Sequence, residues 1–223
     1  FGRPVQSANA TNIIARFQPQ KTNRVLLCAH WDTRPWADRD PDPANHNKPV
    51  PGANDGASGV AVLLEIARLI HVQPPPVGVD IVLFDGEDAG QEGDLRSWAK
   101  GSATFARQMG HLFQPQYAIL VDMIGDKDLQ IYKEAYSVQY APSIVNMVWN
   151  KAHQLGIREF KPEMGYAVFD DHVPLLEVGI PCINIIDFDY PVWHTMQDTP
   201  DQCSPDSLEK VGTVITHLLY ENR

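Results

Sequence analysis

Short apolar runs alternate along the chain with segments whose apolar residues recur at helical spacing. Residues 12–17 (NIIARF), 24–31 (RVLLCAHW), 79–84 (VDIVLF), 117–123 (YAILVDM) and 180–188 read as strands, and 129–132 as a further short one. Residues 60–70, near 97–109, 137–154 and 204–220 read as helices, and 174–178 as a single helical turn. The punctuation agrees with these bounds. Pro74-Pro75-Pro76 ends the first helix, Gly156 stops the third, and Ser204 with Pro205 opens the last as N-cap and first helical residue. Residues 34–51 hold five prolines and no period, which predicts an ordered surface loop long enough to carry function. Residues 1–10 are polar and aperiodic, and 165–172 and 190–203 read as loops. Continuous apolar strands alternating with helices predict an α/β sheet buried on both faces.

Composition narrows this picture. A chain of 223 residues with 43% hydrophobic residues suits one domain, residues 1–223, with a substantial core. A net charge of -10 and no basic patch argue against a nucleic-acid partner. No apolar run approaches the ~18 residues of a membrane span. The chain starts at Phe1 and carries no charged-then-apolar leader, so a processed or trimmed piece is expected. Cys28, Cys182 and Cys203 lack metal-type spacing, and the first two sit in apolar runs where buried thiols are expected.

The chemistry collects at strand ends. In an open α/β sheet, ligands bind beyond the carboxyl ends of the strands. His30 and Asp32 follow one strand, Glu87 and Asp88 another, and Asp122 a third. Asp170, Asp171 and His194 lie on loops flanking the last strand. Asp55 sits on a turn of small residues (GANDGASG) ahead of a helix that is apolar nearly all round and therefore predicted to be buried. Alone, Asp55 reads equally well as a helix cap. Together, so many carboxylates cannot all stay ionised on one rim without a cation. Imidazoles among carboxylates suit Zn²⁺. Asp198 and Asp201 read as surface or turn residues.

The motifs AHWDTRP (29–35), GANDGASGVA (52–61), LFDGEDAG (83–90), ILVDMIG (119–125) and WHTMQDT (193–199) resemble, as an ordered set, the zinc-dependent M28-type aminopeptidases, a family that includes the glutaminyl cyclases. DDHVPLLEVGIPCINII (170–186) followed by PVWHTMQDT (191–199) is more similar to the glutaminyl-peptide cyclotransferases, bacterial ones among them. The resemblance implies a three-layer α/β/α domain with a mixed, mostly parallel sheet, as in zinc exopeptidases. It implies Asp55, Asp88 and His194 as zinc ligands, Glu87 as general acid/base, and His30 and Asp122 as ligands of a second zinc. It assigns Asp170 and Asp122 to the proton network, Trp193 and Phe169 to the substrate pocket, and Asp32 to orienting His30. Some features depart from the family. Asp88 replaces a glutamate, Cys28 lacks its usual disulfide partner near Val60, and the tryptophan expected just after Glu87-Asp88 is absent, with Trp98 or Trp36 as substitutes. The family's opening helix and strands are nearly missing upstream of Asn12, so a longer protein is expected.

The implied activity is conversion of an N-terminal glutamine to pyroglutamate with release of ammonia, on peptide or protein N-termini, with one zinc ion. The alternative is a two-zinc aminopeptidase in which Glu87 activates water. A third reading, a catalytically dead metal-binding or interaction domain, leaves Glu87 without a use. Location outside the cytoplasm, secreted or periplasmic, is the expectation. Nothing in the sequence fixes the oligomeric state.

Overall fold

The computed structural model describes residues 9–221, so most of the polar stretch 1–10 lies outside the described residues. Among the described residues, seven strands and six α-helices follow one another. The strands are β1 (Ile13–Phe17), β2 (Arg24–His30), β3 (Gly78–Phe84), β4 (Tyr117–Asp122), β5 (Ile131–Lys133), β6 (Phe160–Met164) and β7 (Cys182–Ile186). The helices are α1 (Ala57–Val72), α2 (Lys100–Met109), α3 (Ala135–Tyr140), α4 (Pro142–Gln154), α5 (His172–Glu177) and α6 (Pro205–Tyr220).

The main sheet has the order β1-β3-β2-β4-β7. β2 runs parallel to both β3 and β4, β4 is parallel to β7, and only β1 is antiparallel, at the edge. Every residue of β3, β4 and β7 is buried, as the continuous apolar runs require, whereas β1 leaves Ile13 and Ile14 exposed. Strand alternation splits the core in two. Val25, Leu27 and Ala29 face α1, α4 and α6, while Leu26 and Cys28 face α2 and α5 with Phe84 and Phe105. The result is three layers, α/β/α, with a mixed, mostly parallel sheet.

From β2 the chain steps to β3 on one side, then crosses back to β4 on the other. The strand order therefore reverses at β2, and a crevice opens beyond its carboxyl end, between the diverging connections. His30, the last residue of β2, stands at that point.

Three elements differ from the sequence reading. Helix α1 is not buried all round: Val62, Leu63, Ile66 and Ile70 pack inward, but Leu64 is 60% exposed. Residues 137–154 form two helices, because Pro142 pushes Ala141 out of the helical region, to φ -137°, ψ 46°. β5 and β6 pair as a separate parallel two-stranded sheet. β6 (FKPEM) escapes an apolar-run reading, since only Phe160 is buried and a proline interrupts it.

Candidate active site

The turn before α1 is built to hold Asp55 against His30. Gly52 turns the chain at φ +71°, and a Cβ there would lie 2.7 Å from the Asp55 carbonyl oxygen. A Cβ on Gly56 would fall 2.5 Å from the His30 ring, so only glycine lets imidazole and turn meet. Asp198, read from sequence as a surface or turn residue, is fully buried and holds this turn. Its carboxylate accepts from the Asn54 and Asp55 backbone N–H groups at 2.8 and 3.2 Å and from the Tyr190 hydroxyl at 2.9 Å. No local signal marks it: the loop residue beside it, Gln197, is exposed. Asp201 is exposed, as expected.

The two oxygens of Asp55 face two histidines. Oδ1 lies 3.1 Å from His30 Nε2, and Oδ2 lies 3.5 Å from His194 Nε2. Asp122 completes the first set, its Oδ1 3.0 Å from His30 Nε2. Asp88 completes the second, its Oδ1 3.0 Å from His194 Nε2. Each set, His30-Asp55-Asp122 and Asp55-Asp88-His194, is buried and brings its donor atoms close enough for one metal ion. Asp88 Oδ2 is buried with no hydrogen-bond partner. Such an orphaned acceptor beside an imidazole is what a cation would satisfy. Burial pushes His194 down to about 3, which keeps its imidazole in the neutral, ligating form. His30 Nδ1 donates to the Asp32 carbonyl at 3.1 Å, which turns Nε2 toward Asp55 and Asp122.

The Asp32 side chain also faces His30, its Oδ1 3.6 Å from Nδ1. Its carboxylate accepts from the backbone N–H groups of Glu87 and Asp88, both at 3.1 Å, and so presents these two side chains. Glu87 is buried, and its carboxyl is raised well above the usual range, first by burial and then by the charge of Asp170. Asp122 is raised to about 7, also by burial first.

Loop 165–171 brings Asp170 to the cleft. Glu134 pins that loop: it caps α3, accepts from the Val168 N–H at 3.1 Å, and meets His172 Nε2 at 3.1 Å. His172 is thus a buried structural histidine, apart from both metal sets. Asn184 on β7 donates to Asp170 Oδ2 at 2.6 Å. Asp171 points away, fully buried, with neither carboxylate oxygen on a hydrogen-bond partner within 3.5 Å.

A cleft of about 240 Å³ lies above these groups, bordered by Glu87, Asp88, Asp122, Asp170 and His194. Phe169, Trp193 and Trp98 form walls. Trp193 stacks on His194 with centroids 3.7 Å apart, and Trp98 lies 6.1 Å from the same imidazole and nearly parallel to it. Trp98, not Trp36, therefore supplies the second indole. Sequence reasoning passed over Arg34. It is 2% exposed, grips both Asp38 oxygens, donates to the Asp88 carbonyl at 2.8 Å and lies over Trp98 at 4.7 Å. Its place in a proline-rich loop disguised it as a surface cation.

The family model for peptidase family M28 matches residues 12–219. The chain belongs to peptidase family M28. Among solved structures it is similar to the Bacteroides thetaiotaomicron glutaminyl cyclase bound to N-acetylhistamine, with 39% identity, a TM-score of 0.92, and 96% of this chain and 78% of that one covered. It is also similar to a Zn-dependent exopeptidase from Parabacteroides distasonis, with 38% identity, a TM-score of 0.90, and 96% and 78% covered. The glutaminyl-peptide cyclotransferase of Bos taurus is 24% identical over 247 residues, covering 95% of this chain. The chain spans about two thirds of the length of such curated relatives, 66% in that case. Both donor sets suit the zinc that the family implies.

Proposed function

We propose that this M28 enzyme is a glutaminyl-peptide cyclotransferase, converting N-terminal glutamine of peptides or proteins to pyroglutamate with release of ammonia. The observation that carries the reading is a buried Glu87 whose proton affinity is raised by burial and by the charge of Asp170, in a cleft walled by Trp193 and Phe169. Similarity to bacterial glutaminyl cyclases over 96% of the chain supports it.

Asp55, Asp88 and His194 would hold zinc, which when bound supplies polarisation of the substrate's γ-amide carbonyl. Glu87 accepts a proton from the α-amine as that nitrogen bonds to the γ-carbonyl carbon. It returns the proton as the carbon–nitrogen bond of the amide breaks and ammonia leaves. Asp170 faces Glu87 and keeps its proton affinity high, so the same carboxyl can serve in both steps. Trp193 offers a flat apolar wall to the glutamine methylenes. No water enters as a reactant, so one zinc suffices.

A second reading, a two-zinc aminopeptidase, is favoured by the second donor set, His30-Asp55-Asp122, and by the likeness to an exopeptidase. Incubating the zinc-loaded protein with Gln-peptides and Leu-peptides, with ammonia and free amino acid measured separately, distinguishes the two. Ammonia from Gln-peptides with no amino acid from either series is the expected result. Leucine release without ammonia would replace the cyclase reading by the aminopeptidase.

A further inference from the structure

One charged pair at the mouth of the cleft has no part in the proton transfers. Arg39, from loop 34–51, and Glu92, from the segment between β3 and α2, meet across the opening at 2.9 Å. Both border the same cleft as Glu87 and His194.

The two partners are held very differently. The Arg39 backbone N–H donates to the His194 carbonyl at 3.2 Å, and its guanidinium lies 5.2 Å over the Trp193 ring. The backbone of Arg39 is thereby tied to His194, and its half-exposed guanidinium rests beside the wall that packs on the substrate's first residue. The Glu92 side chain is 78% exposed, and Gly93 follows it at φ +87°. An exposed ion pair of this kind contributes little, so another carboxylate can take the place of Glu92 on Arg39 at small cost. The other acid near this lip, Asp38, has both oxygens on Arg34 and does not compete. Arg34, the second cation bordering the cleft, is buried and already engaged.

Because Arg39 borders the cleft and lies over Trp193, a peptide whose first residue packs on that wall brings its next residue toward this lip. We propose that Arg39 forms a subsite for an acidic residue, so that the enzyme favours peptides with Asp or Glu immediately after the N-terminal glutamine. The inference rests on the cyclase reading for the identity of the first residue, and on the lip alone for that of the second.

The test compares kcat/KM for Gln-Glu, Gln-Ala and Gln-Lys peptides with amidated ends, each enzyme normalised to its own Gln-Ala value. Wild type should favour Gln-Glu over Gln-Ala by roughly two- to fivefold, the scale of one exposed ion pair. The ratio should shrink in high salt. Arg39→Ala should bring it to about one, and Glu92→Gln, which removes the competitor, should raise it above wild type. A flat wild-type series with normal ammonia release overturns the subsite and leaves the cyclase reading standing. A preference for Gln-Lys also overturns it, since Glu92 would then be the recognising group. If no Gln-peptide yields ammonia, the cyclase reading fails. Leu-Glu, Leu-Ala and Leu-Lys, scored by released leucine, then decide the subsite by the same ratios.

Discussion

A single carboxyl group, Glu87, has to change its protonation state for either candidate reaction to run. Burial and the neighbouring Asp170 raise its affinity for a proton, while Asp32 fixes its backbone N–H. Replacing Glu87 by Gln keeps shape but removes basicity. Turnover of Gln-peptides should fall by about 10²–10⁴-fold, the usual contribution of general acid–base catalysis. Zinc content by metal analysis should stay at the wild-type level, because Glu87 belongs to neither donor set. Near-normal turnover would mean that another group carries the proton. The residues of this site were legible where a motif coincides with a strand end, as for His30, Glu87, Asp88 and Asp122, or with the turn ahead of a helix, as for Asp55. Those that act through backbone contacts were not. Asp198 and Glu134 each bind N–H groups far away in sequence, and no spacing rule connects Asp198 to Asn54.

At the scale of elements, the site depends on a turn held from a distant loop. Asp198 reaches the 52–56 turn across 144 positions and fixes the backbone that aims Asp55 at both histidines. Asp198→Ala should therefore leave two buried N–H groups unpaired, at about 1–3 kcal/mol each before relaxation. Zinc affinity, read by competition with a chromogenic chelator, should fall, and unfolding midpoints should drop with it. Unchanged zinc affinity would show that the turn holds its shape without this anchor. The main strands and the last helix were readable because their apolar runs and caps are local signals. The break before Pro142 was legible in principle, since the residue before a proline resists the helical region. β6 was not, because an exposed strand containing a proline carries no apolar pattern.

For the molecule as a whole, buried carboxyls outside the site set how stability varies with pH. Asp187 ends the last strand's run and accepts from the Gln130 and Asp189 N–H groups. Burial raises it from its ordinary 3.8 to about 6. A raised carboxyl pKa means the folded state holds the proton more tightly than the unfolded chain. The resulting stabilisation is complete below about pH 4 and is lost as pH rises through 6. Relative to Asp187→Asn, wild type should gain about 1–2 kcal/mol between pH 8 and pH 4. Urea unfolding of both proteins across that range checks the slope, and parallel curves would rule it out. The stacking around His194 has an optical consequence as well. Trp193 and Trp98 both lie within stacking range of one imidazole, so the intrinsic fluorescence of the protein should report whether that imidazole carries a metal ion. Zinc added to the chelated protein should change the emission without any substrate present. Trp193→Phe and Trp98→Phe should each shrink the response, whereas Trp149→Phe, which alters a ring packed against Phe160, should leave it intact. An emission change that survives both replacements would place the reporter elsewhere. If it disappears with them, the pocket wall doubles as a built-in gauge of metal occupancy.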